Sequence, residues 1–484
     1  MMRAQVLPEP ELEFGGSSRH IDPRFGISAY GPADLDVPEQ PKAMRLGLVG
    51  PEQDLEALKL WLERCRDEIS AKGERYPHLF PAFPGCDIDR GLCSTVVFSD
   101  RATNAISPSA LRGIERASGV AALDRAVEVY CDEVRALAER NRVDVIVMAR
   151  PVGLKDIGAP GRGKPRRKPD GEGNNDVSAD VAMRFANFHD LVKARLLSIG
   201  TPVQIVRRST FDESVAPPAG SSRQDEATRA WNLHVALYYK AGGVPWRMQR
   251  DSRDLTTCFV GVSFYQAGGD GNLETAVAQV FNERGDGVVV RGESAIPRGD
   301  DRQPHLSGDG AKQLLLSALD EYRREHRTEP ARVVIHKASD FTEEEADGFR
   351  SAAEARRLDA LDLIWITSSE GIRAYRRGQA PPLRGTVIEL ADTEALLYTA
   401  GSIDFYSTYP GMHVPTPIGI RALMPTRSIT ALAAEVMALS KMNWNQTRLD
   451  GRLPVTLRTA EQVKRVLRFV DSSSPVAARY AQYM

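Results

Sequence analysis

Residues 187–204 read NFHDLVKARLLSIGTPVQ. Phe188, Val192 and Leu196 recur at a four-residue step and supply one apolar helix face. His189 and Lys193 are also four apart and share another face. Gly200 is placed to stop this helix, and Pro202 opens the next element. Gln204 falls in a short buried strand, 203–206. The expected helix runs over 179–198, with Asp176 or Ser178 as its cap. An imidazole, a lysine and an amide donor thus converge on one helix-end region. Such a set suits an anionic end group, above all a phosphate. By spacing alone, a Lys four residues after a His on a helix is usually a solvated face. The phosphate reading therefore needs support from elsewhere in the chain.

Upstream, strand-like and helix-like stretches alternate. Strands are expected at 45–50, 95–99 and 143–149, with helices at 52–72 and 121–142. This order predicts a doubly wound α/β domain around a parallel sheet. The first strand–helix junction, LVGPEQDLE, has one glycine and a proline and lacks the glycine pattern that cradles a dinucleotide. Residues 158–175 are rich in Gly and Pro and carry Lys164, Arg166, Arg167 and Lys168. They read as a surface loop, or functionally as a basic flap over a nucleic-acid backbone. The loop 216–224 marks a domain border, and a helix follows at 226–241.

The C-terminal half opens as three antiparallel strands, 256–265, 274–281 and 286–291, with a turn at 282–285. A helix at 309–326, a strand at 332–336 and a helix at 343–355 come next. Strands at 363–367, 387–390 and 395–399 and helices at 428–440 and 460–469 complete an RNase H-like order.

A second stretch, 231–247, reads WNLHVALYYKAGGVPWR. With 187–204 it resembles the MID–PIWI half of Argonaute proteins. Residues 442–461, MNWNQTRLDGRLPVTLRTAE, resemble the penultimate PIWI segment of short prokaryotic Argonautes, and 12–34 their N-terminal segment. The resemblance implies an α/β fold with a Rossmann-like MID domain at 44–215, guide 5′-end binding, and an RNase H-like PIWI domain at 216–484. Residues 1–43 are expected to form an extended strap, and the N and PAZ domains of long relatives have no counterpart.

In that family a His or Tyr, a Lys, a Gln and a later Lys grip the 5′-phosphate of a guide strand. The matching positions are His189, Lys193, Gln204 and Lys240. The resemblance also implies a structural Mg2+ between that phosphate and the chain's C-terminal carboxylate, here on Met484. Arg207, Arg208, Arg247 and Arg250 are candidates for the guide backbone; balancing nearby surface acids explains them equally well.

Two-metal cleavage needs clustered carboxylates, because Mg2+ takes hard oxygen ligands. Ser263 stands where the family's first Asp would fall, and Ala338 where the second would. The expectation is a PIWI domain that holds nucleic acid without cutting it. The implied partners are a guide, expected to be RNA, a complementary single-stranded DNA target, and an APAZ-domain effector of TIR, sirtuin-like or nuclease type. That effector would form a heterodimer with this chain, which would assemble further on target binding. The alternative is an autonomous metal-dependent RNase H-like nuclease with displaced carboxylates, such as Asp340. A third reading, a two-lobed small-ligand binder, lacks support from the paired motifs.

Composition is consistent with this reading. In 484 residues, 63 Lys and Arg face 65 Asp and Glu, so the chain is no bulk polycation and any nucleic-acid contact must be a local basic channel. The five cysteines are scattered and form no CxxC pair, which argues against a zinc site or a disulfide framework. No signal-peptide core and no long apolar run stand out, so cytoplasm is expected, without a membrane partner.

Overall fold

The computed structural model describes residues 3–73, 76–154, 186–217, 222–249, 255–266, 273–280, 287–297, 303–368, 372–411, 413–471 and 479–484. The basic flap, the expected caps Asp176 and Ser178, Arg250 and the turn 282–285 lie outside them.

The first unit is built on a wholly parallel sheet. Ala43–Pro51 is central, flanked on one side by Thr95–Val97 and Thr103–Ile106 and on the other by Val145–Ala149, then Val203–Val206. Its strands are near-continuous apolar runs because both faces are covered. Leu46, Leu48, Val145 and Val147 pack into one core, and Val49, Ile146 and Met148 into another. The second core includes Val127, Tyr130 and Val134 of helix Gly119–Arg140 and Phe188, Val192 and Leu196 of helix Phe188–Leu196. Tyr130 meets Phe188 edge-on at 5.4 Å, so the apolar face read from 187–204 is a packing face.

The second unit is a ten-stranded mixed sheet. Thr257–Gln266 pairs antiparallel with Leu273–Val280, which pairs antiparallel with Gly287–Pro297. On its other side it runs parallel to Arg332–Lys337, which runs parallel to Ala360–Ser368. The sheet continues antiparallel through Ile418–Leu423, Glu394–Leu397 and Thr386–Ala391. Helices Gly308–His326 and Glu343–Ala355 pack together in one core with Cys258, Val260, Val333, Ile335 and Leu363. Strand Ile418–Leu423 was not anticipated, because its flanking prolines hide a short apolar run. Helix Val455–Leu467 closes on the strand at Gly261, where a Cβ would lie 2.2 Å from the Thr456 carbonyl oxygen. Only glycine permits that approach.

The N-terminal segment corrects the expectation of an extended strap. Arg3–Val6 is an antiparallel edge strand on Thr386–Ala391. Leu12–Glu13 lies between Arg19–His20 and Arg247–Met248 in a small sheet. Pro23–Tyr30 is a helix, capped by Asp22, whose carboxylate accepts from Arg24 and Phe25 N–H groups. The Asp-Pro pair was a readable helix start. Glu9 pins the strap: it bridges Arg384 and Lys441 of the second unit, each at 3.0 Å.

Candidate nucleic-acid interface

Helix Phe188–Leu196 starts later than the sequence led us to expect. Asn187 is extended, and its side chain accepts the Asp190 N–H at 2.9 Å, so Asn187 is the cap. His189 therefore lies in the first turn of this helix and Lys193 in its last. Gly200 is left-handed, at φ 76°, and ends the turn Leu197–Ile199 as anticipated. Strand Val203–Val206 and helix Glu226–Lys240 supply Gln204 and Lys240.

Lys193 and Lys240 are buried, at 2% and 1% exposure. Lys193 Nζ donates to the Val203 carbonyl at 2.5 Å, and Lys240 Nζ donates to Gln204 Oε1 at 2.7 Å. Burial pushes the Lys193 ammonium down to about 7, with Asp190 partly opposing the shift. Lys240 falls well below its ordinary value, first through burial and then through repulsion from Lys193. Two neighbouring ammonium groups in a dry setting are a charge deficit that an incoming anion relieves.

His189, one helical turn before Lys193, keeps 37% of its side chain exposed. Its Nδ1 meets Asp190 Oδ1 at 2.8 Å, which orients the ring. With Nδ1–H held by Asp190, His189 offers an Nε2–H to an anion only as imidazolium.

His189 and Gln204 open onto a cavity of about 560 Å³, also lined by Arg150, Arg207, Arg223 and Arg229. Among the described residues no Asp or Glu lines it. Arg150 follows strand Val145–Ala149, and Arg207 follows Val203–Val206. The cavity thus sits at the C-terminal ends of parallel strands, where open α/β sheets bind ligands. A neighbouring cavity of about 380 Å³ shares Arg150, Arg207 and Ser209 and adds Pro151, Val152 and Leu154.

The remaining candidates are dispersed. Arg208 lines the smaller cavity but is held by Asp54 at 2.9 Å and Asp212 at 2.8 Å, which commits it to structure. Arg247 pairs through its strand with Glu13 and lines a separate cavity with Arg479 and Tyr480. Met484 is buried, and the C-terminal turn Tyr480–Gln482 reaches the end of the turn Leu197–Ile199, where Gln482 Nε2 donates to the Gly200 carbonyl at 2.9 Å.

Several site residues escaped sequence reasoning. Arg150 had a signal, its place directly after a buried parallel strand. Arg229 and Arg465 had none. Arg229 reaches the cavity from inside a helix and is braced by Glu213 at 2.7 Å. Arg465, on helix Val455–Leu467, lies close enough for its charge to help lower the pKa values of His189 and Asp190.

In the second unit the register pairs Val262 with Lys337, so Ser263 and Ala338 follow side by side, one step further. Ser263 is buried, and its Oγ donates to the Ala460 carbonyl at 3.1 Å. Asp340 is exposed, and its carboxylate accepts the Phe341 N–H at 2.8 Å. Lys337 faces the opposite side of the sheet and is buried against Glu345 at 2.5 Å. Among the described residues, no group of three or more His, Cys, Asp or Glu is placed to hold a metal. No described helix is long and apolar enough to cross a membrane.

No family model and no curated protein matches the sequence. Solved structures do match. The structure of Clostridium butyricum Argonaute bound to a guide DNA (5′ deoxycytidine) and a 19-mer target DNA aligns with a TM-score of 0.66 at 15% identity, over 98% of this chain and 54% of that one. The crystal structure of Drosophila Piwi aligns with a TM-score of 0.58 at 15% identity, over 99% of this chain and 56% of that one. The chain spans about half the length of these structures. Its fold is that of Argonaute and Piwi proteins, a Rossmann-like MID unit followed by an RNase H-like PIWI unit.

Proposed function

We propose that this chain is a short, MID–PIWI form of Argonaute. It holds a 5′-phosphorylated guide strand, RNA in our reading, and recognises complementary single-stranded DNA. The observation that carries the proposal is the buried pair Lys193 and Lys240, joined to an arginine-lined cavity through Gln204. A terminal phosphate supplies the charge that the two ammonium groups lack, and His189 and Arg150 close over it. The adjacent, more apolar cavity suits the first base. With the 5′ end fixed, base pairing reads the target and the protein reads duplex shape.

Met484's carboxylate and Gln482 Oε1, a buried acceptor with no partner among the described residues, are the hard oxygen groups that would hold Mg2+. An ion there would supply positive charge to screen the guide phosphate from that carboxylate.

We read the PIWI unit as inactive. Ser263 is spent on the Ala460 carbonyl and Ala338 has no ligand atom, so neither bridges a metal. Output then falls to a partner bearing an APAZ-type domain and a TIR, sirtuin-like or nuclease effector, in a prokaryotic immune system. Pure protein with Mg2+ or Mn2+ is expected to leave guide-matched DNA intact. Cleavage abolished by Asp340→Ala would establish the nuclease alternative instead.

The direct test is the nucleic acid that accompanies the purified chain. Short strands of uniform length with 5′-phosphates are expected, with ribonuclease sensitivity identifying RNA. Protein that carries no nucleic acid and binds no phosphorylated oligonucleotide, alone or with its partner, would overturn the proposal.

A further inference from the structure

A second patch of nucleic-acid chemistry lies far along the chain from the phosphate cavity. Residues 372–380 read IRAYRRGQA. Tyr375 is 81% exposed, the highest value among the exposed large apolar side chains. Arg373, Arg376 and Arg377 flank it, and all three are exposed. Arg373 donates to the Ile372 carbonyl and Arg376 to the Ala380 carbonyl, so these contacts shape the loop and leave the guanidinium charge uncompensated. Among the described residues, no carboxylate pairs with any of the three arginines.

The position of the loop decides what it faces. Thr257–Gln266, Arg332–Lys337 and Ala360–Ser368 run parallel, so Ser263, Ala338 and Ser368 come to one edge of the sheet. Ser368 pairs with Ile418, which pairs with Leu397, so that edge continues to Tyr398. The buried Tyr398 hydroxyl accepts the Ala374 N–H at 2.6 Å. The residue before Tyr375 is therefore fixed to the edge that carries the degenerate catalytic positions. The chain is anchored one residue before the ring and the ring itself is exposed, the arrangement of a stacking platform.

We propose that this loop is a second nucleic-acid contact. Tyr375 stacks on an unpaired base of the bound strands, and Arg373, Arg376 and Arg377 hold the phosphates on either side. The proposal rests on the nucleic-acid reading of the chain and adds a site remote from the 5′-phosphate.

The test compares the full-length chain with Tyr375→Ala, Tyr375→Phe and the triple change of Arg373, Arg376 and Arg377 to Ala. Anisotropy measures binding of a labelled 5′-phosphorylated guide, then of a complementary DNA longer than the guide to the loaded protein. Tyr375→Ala should weaken at least one of these steps by roughly five- to hundredfold, as loss of one stacked base does. Tyr375→Phe should stay within about twofold. The triple variant should flatten the salt dependence by about two to three phosphate contacts. Wild-type affinity and an unchanged salt slope in both the Ala and triple variants would overturn the proposal and point to a protein partner for the loop. Lys193→Ala separates this site from the cavity: it tests the phosphate pocket and leaves the loop untouched. A wild-type chain that binds neither strand would overturn both readings.

Discussion

Lys193→Ala is expected to lower affinity for a 5′-phosphorylated guide by about a hundredfold and to leave a 5′-hydroxyl guide within about twofold. Removing one partner of a buried charge contact costs about 2–5 kcal/mol, and each 1.4 kcal/mol is tenfold. Lys240→Ala should behave alike. The double variant should lose more than the sum, because removing Lys193 alone relieves its repulsion on Lys240 and masks part of the single loss. The effect also depends on pH. In the free protein Lys193 is depressed to about 7, mainly by burial, and a bound phosphate raises it again. The complex thus holds more protons than the free chain above that value. Affinity should be flat just below pH 7 and fall as pH rises above it. Below about pH 6 the guide's own phosphate loses charge, so binding should peak between the two. Stability runs the other way. The unfolded chain binds more protons than the folded one between the depressed and ordinary lysine values, so the free protein gains stability as pH rises there. Lys193→Met should therefore stabilise the free protein while destroying guide binding. Anisotropy titrations from pH 5.5 to 9 with both guide types, alongside urea midpoints, read all of these. Equal losses for phosphate and hydroxyl guides would remove the phosphate pocket.

Glu9→Ala is expected to destabilise the protein by about 3–5 kcal/mol, the cost of stranding a buried charge. Two cations depend on this carboxylate. Lys441 is fully buried, and burial pushes it down to about 8 despite Glu9. Arg384 is 3% exposed and also donates to Ser440 Oγ at 2.9 Å. Burial acts to raise the Glu9 pKa, but Arg384 and Lys441 together hold it below the usual carboxylate range. A depressed carboxylate contributes stability above its unfolded value, and that contribution fades as pH falls through the folded one. Wild-type and variant urea curves should therefore converge on acidification. The strap joins both units: Arg24 donates to the Leu79 carbonyl at 2.9 Å, and Leu12–Glu13 pairs with Arg247–Met248 just after the helix that carries Lys240. The variant should consequently loosen the C-terminal end of that helix, seen as faster amide exchange around Gly242. A loss under about 1 kcal/mol would show that the strap is not held by this cluster.

Much of the fold was legible because its signals are local. Apolar strands buried on both faces announce a parallel sheet, and strand Val203–Val206 lies where its apolar run put it. The capping box at Thr342 and Glu345 marks the helix that starts at Glu343. Periodicity was less able to find helix starts. The helix expected from 179 has its described beginning at Phe188, because an asparagine side chain three residues before Asp190 competes for its N–H. The proline-flanked strand Ile418–Leu423 and the helix inside the strap were missed for similar reasons of local chemistry.

By itself the sequence determined the order of elements, the shared face of His189 and Lys193, and the carboxylate-free residues at 263 and 338, because each depends only on residue identity and short-range periodicity. Tertiary structure alone decided which charges work together. Lys193 and Lys240 meet because both reach strand Val203–Val206, one at the Val203 carbonyl and the other at Gln204, and Arg465 arrives from the far end of the chain. Arg208, equally basic in the sequence, is withdrawn by Asp54 and Asp212. Coulomb energies and desolvation depend on distance through space and on burial, neither of which spacing along a chain encodes.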